Sequence, residues 1–229
     1  RMGWNALVVL PNALDIDYVE KVRARASGVA FIPFAWWLEN RPPCRETVGH
    51  FKVLMSRHDV KLVHANTVVL DEPYLAAQEL GKPLLIHVHE LPEHDRELCA
   101  RLDTTPERLR ERIWSLASGL IVNSRTTQQY WSGPPSGTPP TYLLPNQFPM
   151  ERLLALPLPL ANRRFRRLAM ISSNQAKKGV ADFVEIARRL TDRLPEMEFV
   201  LYGPETALLR TLGVPRRRVG RRGGIRYGG

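Results

Sequence analysis

The sequence predicts an α/β protein built on parallel sheet, and three observations carry that expectation. Continuous apolar runs of strand length, such as "NALVVLPN", "PLLIHVHE" and "GLIVNS", recur along the 229 residues. Between them lie longer stretches with apolar residues at helical spacing. The two patterns alternate almost throughout, and strands apolar on both faces need the cover that crossover helices give.

The elements follow in order. "NALVVLPN" is a short buried strand, and "DIDYVEKVRARAS" follows it with helical spacing. "VAFIPF" is the second strand. "CRETVGHFKVLMSRH" is a helix with Val48, Phe51, Leu54 and Met55 on one side. "VKLVHAN" is a strand, and "EPYLAAQEL" a helix closed by Gly81 just past its end. After the strand "PLLIHVHE", the helix "TTPERLRERIWSLAS" opens with a Thr cap, Pro106 in the first turn and Glu107. "GLIVNS", "RTTQQYW" and "PTYLLPN" read as strand, short helix and strand. "ERLLALPLPLANRR" then changes character into a short helix and a proline-broken connector, and the pattern restarts. "RRLAMISS" and "EFVLYGP" are strands around the amphipathic helix "KKGVADFVEIARRLTDRL", and "ETALLRTL" is a further helix.

These observations define a Rossmann-like parallel-sheet domain over 1–160 and an incomplete second one over 161–213. The second has too few strands to stand as a full doubly wound sheet. Residues 214–229 carry no apolar periodicity and are expected to form a basic, disordered tail.

Charge and composition exclude several classes. The net charge is +10, yet the last 19 residues hold six arginines and no acid, and without them 27 basic residues face 23 acidic ones. The basicity therefore belongs to a tail, and nucleic acid is not the expected partner. The apolar runs are far shorter than the roughly 20 residues a bilayer span needs, and no small-residue cleavage site follows the first of them. The expectation is a cytoplasmic protein, with peripheral contact at the inner face of the membrane as an added possibility for partners. Cys44 and Cys99 form neither a disulfide framework nor a Cys-x-x-Cys pair.

Two stretches carry chemistry. In "LLIHVHELPEHD", His87 and His89 lie two apart and share one strand face, and Glu90 comes at the strand's carboxyl end. Open parallel sheets bind ligands beyond that end, which makes His89 and Glu90 the catalytic candidates. His87 is the better candidate for a satisfied core or cleft residue. A metal is not expected: Leu91 and Pro92 stand where a binuclear hydrolase needs ligands, and a proline separates His89 from His94. The second stretch is "ISSNQAKKGVADF". There Ser172, Ser173, Asn174, Lys177, Lys178 and Gly179 precede a helix whose first amides would cradle a diphosphate. It lacks the spacing of a Walker loop.

In their order, "VHANTVVLDEPYLAAQELGKPLLIHVHE", "ASGLIVNSRTT", "LLPNQFP" and "KKGVADFVEIARRLTDRLPEMEFVLYGP" resemble family 4 of the retaining glycosyltransferases, of GT-B architecture. The resemblance runs from about residue 5 to residue 213. It implies transfer of a sugar from a nucleotide-diphosphate sugar to a saccharide or lipid-linked acceptor, with no cofactor beyond that donor. It puts His89 near the donor sugar, Lys178 on the diphosphate, and Asn146 beside Pro145 before the interdomain crossing. Asn123 and His87 are the further cleft candidates. Ser172 stands where the family often has an arginine. The family's Glu-x7-Glu signature is absent: glutamates 185, 196, 198 and 205 are followed eight positions on by Arg193, Pro204, Thr206 and Gly213. The chain therefore reads as a fragment, with little or no activity expected of it alone. The competing readings are a binding module that holds nucleic acid through its tail, and a metal hydrolase on "HVHE".

Overall fold

Apolar strands too short to be stable alone gain their order from neighbours, and in the computed structural model every paired strand is parallel to its partner. The structure describes residues 3–134, 136–148, 150–155, 166–216 and 224–229. They fall in two compact units, Arg1–Phe148 and Pro149–Gly229. The expected boundary near residue 160 lies outside the described residues.

In the first unit, β1 (Leu7–Leu10), α1 (Ile16–Arg23) and β2 (Gly28–Phe31) form a βαβ ribbon. Asp15 caps α1 by accepting from the amide of Tyr18. The chain continues through α2 (Arg45–Arg57), β3 (Val63–Ala65), α3 (Glu72–Glu79) and β4 (Leu84–Val88). After α4 (Arg96–Arg101) come α5 (Pro106–Leu116), β5 (Gly119–Val122), α6 (Arg125–Trp131) and β6 (Thr141–Leu143). Strands β3, β4, β5 and β6 form one sheet in that order. Thr105 caps α5 with its side chain and Ser124 caps α6.

Cover on both faces of this sheet was the expectation, and the described residues meet it on one face. Leu84, Ile86 and Val88 of β4, with Leu120 and Val122 of β5, are buried. They pack with Val48, Phe51 and Met55 of α2, Tyr74 and Ala77 of α3, and Leu109 and Ile113 of α5. On the other face Leu85, His87 and Ile121 stay partly accessible, while His64 and Tyr142 are exposed. Strand alternation places these five together, since His64 pairs with Leu85, His87 with Ile121, and Ile121 with Tyr142.

The second unit has α7 (Met150–Leu154), β7 (Arg167–Ile171), α8 (Val180–Thr191), β8 (Glu198–Tyr202), α9 (Ala207–Thr211) and β9 (Gly224–Tyr227). Its sheet runs β7-β8-β9. Strand β9 corrects the expectation of a structureless tail. It pairs with β8 from Glu198↔Gly224 to Leu201↔Tyr227. Ile225 and Tyr227 join the core of Val180, Val184, Leu201 and Leu209. Between them Arg226 reaches Glu198, which also accepts from Arg167 on the opposite strand. The alternation Ile–Arg–Tyr is thus strand-like, a pattern that the surrounding arginines conceal in a charge count. The part of the tail at 217–223 lies outside the described residues.

Candidate functional site

The carboxyl ends of β3 and β4 bring the first group of polar residues together. Asn66 follows β3 directly, and its Oδ1 lies 3.0 Å from Nε2 of His89, which follows β4. Glu90 fixes that corner. Its Oε2 accepts from the backbone amide of His89 at 3.0 Å and its Oε1 from the Thr67 hydroxyl at 3.3 Å. Its carbonyl accepts from Nε1 of the fully buried Trp131 at 3.0 Å. The hydroxyl of Tyr74 in turn donates to the carbonyl of Thr67. Both oxygens of Glu90 thus have local donors, so the carboxylate acts on the position of His89. The imidazole itself is exposed and oriented.

His87 stacks under His89 with ring centroids 4.2 Å apart, and His64 of β3 lies 5.8 Å beyond it. Nε2 of His87 is buried and has no hydrogen-bond partner among the described residues. Desolvation, and secondarily the charge of His89, hold His64 and His87 below the ordinary imidazole value. The neutral form is therefore the one that the fold accommodates. Protons bind the unfolded chain more readily than the folded one once the pH drops through the ordinary value of 6.5. Stability present above that pH is lost as it falls. Denaturant unfolding followed at Trp131 is expected to give a lower midpoint at pH 5.5 than at pH 7.5, with the difference reduced in His87→Asn. An equal midpoint at both pH values would contradict this account.

Asn123 and Asn146 follow β5 and β6 at the same end of the sheet. Asn123 is half-buried, and its Oδ1 accepts from the Thr127 hydroxyl at 3.0 Å within the α6 cap. Asn146 is exposed. Asn66, Thr67, His64 and Trp131 escaped the sequence reading. Only the polar dipeptide closing the strand "VKLVHANT" signalled the first two.

In the second unit the loops after β7 and β8 lock together through Asn174. It is fully buried at φ 52°, donates through Nδ2 to the carbonyl of Pro204 at 3.0 Å, and accepts at its own carbonyl from the Thr206 hydroxyl. Its Oδ1 accepts from the Ser172 hydroxyl, which accepts from the Asn174 amide. The side chain of Asn174, expected at a diphosphate, ties two loops inside the fold. Ser172 shares that work, and Ser173 is half-buried beside it. Lys177 and Lys178 are exposed on a 3-10 turn, Ala176–Lys178. Gly179 follows at φ 72°, a left-handed position that glycine adopts without strain. It is the N-cap of α8 and brings no side chain to cap the first-turn amides.

Among the described residues no group of three His, Cys, Asp or Glu side chains could hold a metal ion. None of the described helices is long and apolar enough to cross a membrane.

Fold and site together define the class: parallel α/β units whose polar residues gather at the carboxyl ends of the strands. Two solved structures bear a distant likeness. MurG from Acinetobacter baumannii matches 85% of this chain and 51% of its own, at 14% identity and a TM-score of 0.42. MnaA from S. aureus, solved with UDP, matches 90% and 64%, at 11% identity and a TM-score of 0.45. The chain thus spans about half of the first and under two thirds of the second. No family model and no curated protein matches the sequence.

Proposed function

We propose that the chain is part of a retaining, nucleotide-sugar-dependent glycosyltransferase of GT-B type, with the acceptor side in the first unit and the opening of the donor side in the second. The observation that best supports this reading is the α8 entrance: a 12-residue helix with no side-chain cap, reached through a left-handed glycine and preceded by two exposed lysines. Helix amides and ammonium groups there would meet the negative charge that grows on a diphosphate as it leaves the sugar. In this proposal Lys178 grips the diphosphate, with Lys177, Gly179, Ser172 and Ser173 around it. His89, aimed by Asn66 and Glu90, lies against the donor sugar. Attack from the face of departure needs no carboxylate nucleophile, in keeping with the engaged oxygens of Glu90. The acceptor, a saccharide or lipid-linked sugar, would meet His87, Asn123 and Asn146.

Titration calorimetry of UDP, GDP and ADP into the chain tests the donor side. One of them is expected to bind, with affinity reduced about fivefold to tenfold in Lys178→Ala by loss of one charge-assisted contact. Absence of binding by all three at millimolar concentration, or indifference to Lys178→Ala, would remove the proposal's donor site.

A further inference from the structure

A cavity of about 410 Å³ lies in the first unit, where the loop after β2 meets the amino ends of α2 and α3. Pro33, Phe34 and Pro42 give it apolar walls, and Cys44, Thr47 and Glu72 line its polar side. Cys44 is the N-cap of the 13-residue helix α2 and is exposed. The Thr47 hydroxyl, with the Thr47 amide second, holds its thiol below the ordinary value. Cys99 is buried, and desolvation pushes its thiol up.

Glu72 is the second, independent feature. It is only 4% exposed, yet it lines the cavity. Its Oε1 accepts a single long bond, 3.4 Å, from the Cys44 amide, and its Oε2 has no partner among the described residues. A buried carboxyl group with this much unused acceptor capacity favours a ligand that brings donors. The nearby Arg112 bonds through Nη2 to Asp71 at 2.6 Å and to the carbonyl of Leu70, and its buried Nη1 makes no hydrogen bond to Glu72.

We propose that Cys44 is a thiol–disulfide exchange site whose cavity selects small disulfides carrying an ammonium group. The Cys44 thiolate attacks one sulfur of the incoming disulfide. A new S–S bond forms to Cys44, the reagent's own S–S bond breaks, and the other half departs as a thiolate that takes a proton from water. The retained half lies in the cavity with its ammonium donating to Glu72. Arg41 also lines the cavity and would favour anions, but it is exposed and its guanidinium donates to the carbonyl of Trp36. The buried carboxyl group therefore sets the preference, against the +10 charge of the whole chain.

The test treats the full chain with cystamine, 2-hydroxyethyl disulfide and dithiodiglycolate at pH 7.5. Intact-mass spectrometry and peptide mapping follow the reaction, with rates normalised to a short unstructured cysteine peptide. The expected order is cationic, neutral, anionic, with about tenfold between the extremes, modification at Cys44 and none at Cys99. Glu72→Gln is expected to level the order while Cys44 still reacts. Because a buried substitution can impair folding, the order in the unaltered chain stands as its own measurement. A level or reversed order there, or modification of Cys99 at a comparable rate, overturns the proposal.

Discussion

Gly203→Ala is expected to abolish the ordered sheet of the second unit. Gly203 closes β8 at φ 126°, a conformation that L side chains rarely adopt. A Cβ there would stand 1.9 Å from the carbonyl oxygen of Ser172 and 3.2 Å from Nδ2 of Asn174. Both neighbours are held in place: the Ser172 amide donates to Tyr202, and the Asn174 side chain donates to Pro204. The carbonyl of Gly203 accepts from the Tyr227 hydroxyl, and its amide donates to Gly229. No flexible side chain can yield, so the backbone must. Strain and overlap together cost more than about 3 kcal/mol. Hydrogen exchange at the amides of Phe199, Val200 and Leu201 reads this directly, with protection expected to fall at least about 100-fold. Unchanged protection would mean that the close approach to Ser172 is wrong.

Trp131→Ala is the counterpart in the first unit. Trp131 is fully buried, lies edge-on to Tyr130 at 5.3 Å, and donates to the carbonyl of Glu90. Its own carbonyl accepts from Nε1 of Trp114. Truncation leaves a cavity and an unpartnered carbonyl at the turn that carries His89, a loss of about 3–5 kcal/mol. Trp131→Phe refills most of the volume and leaves only the carbonyl unpaired, so about 1–3 kcal/mol is expected. Denaturant unfolding separates the two variants, and the His89 ring resonances report the loosened corner. Equal stability of both variants and the unaltered chain would show that α6 does not support this corner.

The alternation of apolar strands with amphipathic helices was legible because each pattern is local, contained within a single element. Strand β9 was not, since its Ile225 and Tyr227 gain meaning only beside β8 and α8. The same limit governed the site. His87 and His89 could be placed on one face from their spacing, but His64 joins them only through strand register. Glu90 and Asn174 looked like ligand-facing groups from residue type and position at strand ends. Their hydrogen-bond partners, Thr67, Trp131 and Pro204, come from distant segments that residue type and position alone do not reveal. The helix start beside Lys178 and Gly179 was legible because it is itself a local feature.

The central claim of the proposal is that the α8 entrance meets the diphosphate of a nucleotide. The most direct measurement is a nuclear magnetic resonance titration with the nucleoside diphosphate that calorimetry selects. It follows the amides of Gly179, Val180 and Ala181. The account predicts that these resonances move along one saturation curve, and that Lys178→Ala shifts this curve to weaker binding. Amides at Gly179, Val180 and Ala181 that stay in place at saturation would contradict it.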